Sequence, residues 1–143
     1  MTQSPHETVE RFFTHLSARK WSDLASLLDD QVERIGPFGD RVVGRDPYLS
    51  FLRGVVPPDY GNDVSQIVVS SDGRSAFAKV TESLRYPDRE LHLDEAYFFD
   101  IADNGLITRI EVYWQTPERD PGGFGSATSD DSYVSQVSGS PDG

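Results

Sequence analysis

Residues 75–101 read SAFAKVTESLRYPDRELHLDEAYFFDI, a pattern that predicts two long strands joined by a turn at Pro87 and Asp88. Side chains two residues apart point to the same face of a sheet. One face of each strand is apolar except for a single carboxylate, which is Glu82 on the first strand and Glu95 on the second. A charged group on an apolar face costs free energy unless it has a partner, so both glutamates are candidate functional residues.

Three helices are predicted before this hairpin. Residues 6–18 carry an apolar stripe of helical period, and Ser4 precedes it as a start signal. Ser22 is predicted to cap a short second helix, whose buried side is formed by Leu24, Leu27 and Leu28. Residues 46–54 predict a third helix, which opens with an Asp-Pro pair and ends at a glycine.

The remaining segments are predicted as strands, at residues 31–35, 40–43, 63–70, 75–86, 90–101 and 106–115, with a loop at 57–62. Helices followed by an antiparallel meander predict an α+β fold, a cone of three N-terminal helices packed on a strongly curved, mostly antiparallel sheet. The mouth of such a cone is a natural ligand site. Residues 1–116 are predicted as this domain, and 117–143 as a flexible Gly/Ser/Asp-rich tail that Phe124 could anchor.

Composition and charge argue against several classes of partner. The 143 residues carry a net charge of −11 without a basic cluster, so neither nucleic acid nor an anionic membrane is an expected partner. The N-terminus lacks the pattern of a signal peptide, and we expect a cytoplasmic location. The chain has no cysteine, and His92 and Asp94 have no third ligand at suitable spacing. We therefore expect no metal and no cofactor.

Four segments together resemble a known family. They are residues 9–13 (VERFF), 21–30 (WSDLASLLDD), 44–46 (GRD) and 105–114 (GLITRIEVYW). Their order and spacing resemble the nuclear-transport-factor-2-like cone fold, in its SnoaL-like branch, which is similar to ketosteroid isomerases, limonene epoxide hydrolases and polyketide cyclases. The resemblance implies acid–base isomerisation, cyclisation or hydration of a small hydrophobic molecule in an apolar cone. The same fold also implies an alternative, a protein that binds a small ligand without catalysis.

The catalytic residues of these relatives are mostly not matched. The general-base Asp of ketosteroid isomerases precedes a proline of the first hairpin, where this chain has Gly36 before Pro37. Their oxyanion-hole Tyr corresponds to Phe12. Their second oxyanion donor, a carboxylic acid that stays neutral in order to donate a hydrogen bond, falls near Glu95. The Asp that limonene epoxide hydrolases need on the last strand corresponds to Val112.

The chemistry that remains depends on Glu82, Glu95 and Arg34. With a turn at residues 87–88, Glu82 lies opposite either Leu93 or Glu95, so the two carboxylates are neighbours in both registers. Two such charges in an apolar cone cannot both ionise easily, and the pair could supply an acid and a base. An inward Arg34 would instead keep them ionised, as a structural network or an anion anchor. If Ile35 points inward, Arg34 is a surface residue, and the glutamates could also be solvated.

Ten further residues are predicted to contact the ligand, because the resemblance and the strand or helix pattern direct them toward the cone. They are Phe12, His15, Trp21, Tyr48, Val80, Leu84, Tyr97, Phe99, Val112 and Trp114. The opposite face of the hairpin carries polar and charged side chains on both strands: Lys79, Thr81, Ser83 and Arg85 against His92, Asp94 and Asp100. Cross-strand charge pairing and the resemblance imply a homodimer formed through this face. A protein-interaction module that uses this face and the tail is the third alternative.

Overall fold

The computed structural model describes residues 3–115, so the predicted tail and its anchor Phe124 lie outside the described residues. The helices are α1 (Pro5–Ala18), α2 (Trp21–Ala25) and α3 (Arg45–Val55). The strands are β1 (Leu28–Ile35), β2 (Arg41–Val43), β3 (Asp59–Val69), β4 (Ser75–Tyr86), β5 (Arg89–Ile101) and β6 (Ile107–Gln115). Among residues 3–115, no helix combines the length and the apolarity that crossing a bilayer requires.

The six strands form one sheet in the order β2-β1-β6-β5-β4-β3. Strands β1 and β6 run parallel, and the other neighbouring strands run antiparallel. The sheet curves, and the helices cover its concave face, which confirms the predicted α+β cone. The long hairpin β4–β5 has the predicted turn, and its apolar faces point into the cone.

Helix α1 lies on the sheet because its N-cap fixes where the helix begins and its apolar stripe packs against the core. The Ser4 hydroxyl accepts from the backbone N–H of Glu7 at 3.1 Å, and the Glu7 carboxylate accepts from the N–H of Ser4 at 3.0 Å. This reciprocal pair satisfies two free donors at the helix start and confirms the predicted start signal. Phe12 and Phe13 then pack edge-on against Phe99, with ring centroids 5.3 and 6.0 Å apart. The depth of the cone is therefore filled with aromatic rings.

The second helix differs from its prediction. Its N-cap is Lys20 rather than Ser22, and the Lys20 side chain makes no capping hydrogen bond with any described residue. Leu28 lies in β1 instead of the helix, where it pairs with Ile107 of β6. It is buried all the same, because a strand of the sheet and a helix on that sheet bury apolar side chains in one core.

Two other boundaries also move. Helix α3 begins after Gly44, whose φ of 103° suits a residue without a Cβ, and it continues past Gly54 to Val55. Strand β3 begins at Asp59, so most of the predicted loop at 57–62 is strand. Its early residues pair with the far end of β4, and this pairing, which local turn signals do not show, extends the strand.

Candidate active site

A cavity of about 250 Å³ opens between the concave face of the sheet and helix α3. Its wall is mainly apolar, and the lining side chains that carry polar atoms are Arg34, Asp40, Tyr48, Tyr60, Glu82, Tyr86, Glu95, Tyr97 and Trp114. A wider groove of about 750 Å³ runs between α1 and β3, but most of its helix residues are exposed. Buried titratable groups converge only in the first of these two spaces, which makes it the candidate site.

The hairpin register brings the two glutamates together on a diagonal. Glu82 pairs with Leu93, and Val80 pairs with Glu95, which selects the first of the two predicted registers. Diagonal neighbours on one sheet face are within reach of long side chains. Both residues are buried, since Glu82 is only 7% exposed and Glu95 only 6%. The predicted acidic pair is therefore inside the cone and not in solvent.

Glu82 is held by two phenols. The Tyr60 hydroxyl donates a short hydrogen bond to its carboxylate, and the Tyr97 hydroxyl lies 3.3 Å from each of its two oxygens. The side-chain amide of Asn62 donates to the Tyr60 oxygen at 3.3 Å and to the carbonyl of Phe13 at 3.0 Å. A chain of hydrogen bonds thus runs from the helix α1 backbone to Glu82, so the negative charge of this carboxylate has donors around it.

Glu95 has the opposite surroundings. Its Oε1 atom is buried and accepts no hydrogen bond from any group in residues 3–115. Burial, followed by the hydrogen bond and the like charge of Glu82, raises the pKa of Glu95 well above its usual range, although Arg34 opposes the shift. Protonated Glu95 can donate to the Glu82 carboxylate, which relieves both the unpaired oxygen and the repulsion. The surroundings of Glu95 therefore favour its neutral form.

Three tyrosines of the cavity stay protonated. Burial, the largest cause, raises the pKa of Tyr48, Tyr60 and Tyr97 above their usual range, and the negative charge of Glu82 adds to each shift. A neutral phenol donates one hydrogen bond, and two of the three give it to Glu82. The tyrosines are therefore fixed donors and not bases.

Arg34 points inward and takes a partner other than the glutamates. Its side chain is 11% exposed, and its Nη1 donates to the Asp40 carboxylate at 2.8 Å. The guanidinium also lies over the ring of Phe51, 4.5 Å from the centroid. Within the described residues it makes no hydrogen bond to Glu82 or Glu95, so of the two alternatives the hydrogen-bonded Arg–Glu–Glu cluster is wrong. Asp40 accepts instead because the turn between β1 and β2 carries it back beside Arg34.

The predicted ligand-contacting residues fall into two groups. Tyr48, Leu84, Tyr97, Val112 and Trp114 line the cavity. The structure places the other five outside its wall: Phe12, Val80 and Phe99 are in the packed core, and His15 and Trp21 are partly buried elsewhere. They lie outside because the aromatic rings of α1 fill the depth of the cone and leave space only near its mouth.

Sequence reasoning missed Phe51 and Asp40 as cavity residues, and it did not predict the contact between Tyr60 and Glu82. Tyr60 was predicted in a loop, although Tyr60 and Asn62 are two residues apart, which is the spacing of one strand face. Phe51 was predicted only as part of the third helix, and Asp40 only as part of a strand. Nothing in the local sequence distinguishes an aspartate that forms an ion pair with an arginine from one that is exposed to solvent.

The outer face of the hairpin is polar around Thr81, Ser83, His92 and Asp94, as predicted, but it also carries the paired rings of Phe77 and Phe98, which the prediction did not include. Thr81 donates to Asp94 at 2.8 Å, and Ser83 and His92 are 3.2 Å apart. No group of three or more His, Cys, Asp or Glu side chains suited to a metal ion occurs in the described part of the chain.

Comparison with known proteins agrees with this architecture. The family model for the SnoaL-like domain matches residues 9–110. A search of curated protein sequences found no significant match. Among solved structures, a candidate ketosteroid isomerase from Kribbella flavida DSM 17836 is 28% identical, with 87% of each chain covered and a TM-score of 0.69.

Two more distant structures share the fold. An LEH-like epoxide hydrolase from M. tuberculosis is 19% identical over 78% of this chain and 82% of its own, with a TM-score of 0.66. A candidate polyketide cyclase from Pseudomonas putida KT2440 is 19% identical over 79% of this chain and 92% of its own, also with a TM-score of 0.66. With the family model spanning residues 9–110 and the cone fold in place, the chain belongs to the SnoaL-like domain family.

Proposed function

We propose that this protein is an acid–base enzyme that isomerises, cyclises or hydrates a small hydrophobic molecule bearing a carbonyl or epoxide oxygen. The observation that carries the proposal is the buried, unpaired Oε1 of Glu95 beside the phenol-bound carboxylate of Glu82. Two carboxyl groups in contrasting surroundings are the arrangement that separates an acid from a base. The family and the solved structures with isomerase, cyclase and epoxide hydrolase names are consistent with it.

The proposed roles follow from the surroundings of each carboxyl group. Protonated Glu95 donates its proton, or a strong hydrogen bond, to the substrate oxygen as negative charge develops there. The Glu82 carboxylate accepts the proton that the substrate or an attacking water loses. The pair carries one negative charge before and after the step, so no net charge is created in the apolar cavity. General acid–base catalysis of this kind contributes about 10²–10⁴ in rate.

Tyr60 and Tyr97 are proposed as positioning residues. Their hydroxyls hold the Glu82 carboxylate in one orientation, and Asn62 in turn fixes Tyr60. When the Glu82 carboxylate gains a proton, its orientation is kept, because the hydroxyl oxygens of Tyr60 and Tyr97 can also accept a hydrogen bond. The apolar wall excludes water and thereby strengthens these electrostatic interactions.

The experiment compares Glu82→Gln and Glu95→Gln with wild type on two probes, a β,γ-unsaturated cyclic ketone and a cyclic hydrocarbon epoxide. We expect each substitution to lower kcat at least about 10²-fold on the probe that is turned over. Glu90→Gln is the matched control, because Glu90 is exposed on the same strand and pairs with Arg85. Carboxyl NMR should show one proton retained by the pair at neutral pH. Wild-type turnover in both variants would refute the proposal.

The alternative is a non-catalytic binder, and Arg34 is the observation that favours it. A guanidinium at the cavity wall can anchor a ligand oxygen without any reaction. The two functions differ in what leaves the protein after incubation. A probe recovered unchanged, with tight binding that Arg34→Gln weakens and Glu95→Gln does not, identifies the binder.

We also propose that the chain is a cytoplasmic homodimer that pairs through the outer sheet face. The support is an exposed aromatic row on that face: Phe98 and Tyr113 are 44% and 54% exposed, and Phe98 contacts Phe77 with ring centroids 5.1 Å apart. Exposed aromatic rows of this kind commonly mark an interface.

A further inference from the structure

The guanidinium of Arg34 has more donors than its protein partner uses. Its Nη1 serves Asp40, and no described residue accepts a hydrogen bond from its Nε or Nη2. The side chain lines the cavity that also contains Glu82 and Glu95. Since a guanidinium has five N–H donors in a rigid fork, several remain for an occupant of the cavity.

These donors lie apart from the reacting pair. Arg34 is on β1, and Glu95 is on β5, with β6 between them. Arg34 pairs with Ile110 of β6, which pairs with Phe99 of β5, four residues from Glu95. Two strand spacings of about 4.8 Å and four residues of about 3.3 Å separate the two backbone positions by roughly 16 Å, and both long side chains extend into the same cavity. The positive charge of Arg34 still reaches Glu95, since it opposes the rise in the pKa of that carboxyl group. One small molecule can therefore meet both residues at its two ends.

The charges near Arg34 determine which kind of ligand group can bind to its free N–H donors. Asp40 already forms an ion pair with the guanidinium, and Glu82 lines the same cavity. A carboxylate beside Arg34 would meet the repulsion of Asp40 at once and that of Glu82 from a longer distance. An uncharged oxygen that accepts hydrogen bonds meets the donors without this repulsion.

The turn between β1 and β2 is shaped to hold the Arg34–Asp40 pair. A Cβ added to Gly36 would lie 2.5 Å from Arg34 Nη1 and 2.5 Å from Asp40 Oδ1. The pair thus occupies the space of the missing side chain, and its position beside the cavity depends on a glycine at 36. The stacking of Arg34 on Phe51 restricts the guanidinium from the other side.

We infer that the substrate is a hydrophobic molecule with two uncharged oxygen functions, of which one reacts at Glu95 and the other accepts hydrogen bonds from Arg34. A cyclic diketone or a hydroxyketone belongs to this class. The inference rests on the proposed function for the reacting end only. The second oxygen belongs to a carbonyl, ester or hydroxyl group. It is inferred from the free N–H donors of Arg34 and from the acidic side chains that would repel a carboxylate there.

The test uses three probes on one bicyclic carbon skeleton: the monoketone, the diketone, and the monoketone that carries a carboxylate in place of the second carbonyl. Dissociation constants are measured by titration calorimetry with the full 143-residue chain. We expect the diketone to bind at least about 10-fold more tightly than the monoketone, the gain of one hydrogen bond from a charged donor. The carboxylate should bind less tightly than the diketone.

Three variants assign this difference to Arg34. Arg34→Gln should abolish the preference for the diketone, and Gly36→Ala should reduce it while keeping every charge. Arg41→Gln is the matched control, because Arg41 is 61% exposed on β2 and pairs with Glu33. Should Arg34→Gln not fold, Gly36→Ala decides, since its clashes are with the flexible ends of side chains.

Equal affinity for monoketone and diketone, tightest binding of the carboxylate, or an unchanged preference in Gly36→Ala would overturn the inference. The binding result that would overturn this inference differs from the turnover result that would refute the proposed function. Turnover of the monoketone that depends on Glu95 would stand even if the second oxygen had no effect on binding.

Discussion

Glu82 and Glu95 are the same residue type on the same sheet face, yet the structure gives them different partners. Glu82 accepts from Tyr60 and Tyr97, whereas Oε1 of Glu95 has no donor within residues 3–115. A carboxylate with several donors tolerates burial as an anion, and one without donors is favoured as the neutral acid. In the proposed mechanism, the difference between the two surroundings, and not the residue type, divides the roles of acid and base.

At this scale we predict the effect of removing one phenol. Tyr97→Phe keeps the ring that packs 5.0 Å from Phe13 but deletes the donor to Glu82. We expect the free energy of unfolding to fall by about 1.5–3 kcal/mol, the range for a hydrogen bond to a charged group. Urea denaturation measures it, and the loss should shrink when Glu82→Gln is also present. A similar loss in the exposed control Tyr113→Phe would contradict the assignment.

At the scale of elements, the two N-terminal helices begin in different ways. Helix α1 has the reciprocal Ser4–Glu7 cap, whereas α2 begins after Lys20 without a side-chain cap from any described residue. Both starts were predicted from the same kind of signal, a serine before apolar residues. The signal is reliable for α1 because the Glu that completes the capping box is also present.

This difference can be measured. We predict that Ser4→Ala lowers the free energy of unfolding by about 1 kcal/mol, since it removes the hydroxyl that accepts from the N–H of Glu7 and keeps the bond from its own backbone N–H to the Glu7 carboxylate. Ser22→Ala is the matched control, and because Ser22 is not a cap, its effect should stay within about 0.5 kcal/mol. A larger loss in Ser22→Ala than in Ser4→Ala would show that the boundaries of α2 are misplaced.

At the scale of the whole molecule, the protonated carboxyl group of Glu95 makes stability depend on pH. Its folded pKa is raised, so above the ordinary value of 4.5 the unfolded chain releases a proton that the folded protein keeps. The stability contribution of this group is therefore complete below about pH 4.5 and decreases as pH rises toward the folded pKa.

We predict that Glu95→Gln gains stability relative to wild type as pH rises from about 5 to 8. The gain has an upper limit of about 1.4 kcal/mol per pH unit, the value for one proton. Urea denaturation at a series of pH values measures this difference. The exposed control Glu90→Gln should show no such trend, and a difference that falls with rising pH would contradict the protonated state of Glu95.

Much of this molecule was predictable from the sequence by itself. The alternation along residues 75–101 predicts both long strands and assigns Glu82 and Glu95 to one face, because side-chain direction in a strand is a local property. The helical stripe of α1 and its cap are local in the same sense. The four segments that resemble the family predict the cone, since their order carries the topology.

Only the tertiary structure decided the partners of the site residues. Arg34 meets Asp40 because a turn folds back over Gly36, and Tyr60 meets Glu82 because β3 pairs with β4 in one register. Register and turn geometry depend on which segments pair and on the space between them, and neither leaves a pattern in the local sequence. The periodicity of the chain therefore predicts the acidic pair, while the neighbours of that pair in space decide which carboxyl group keeps the proton.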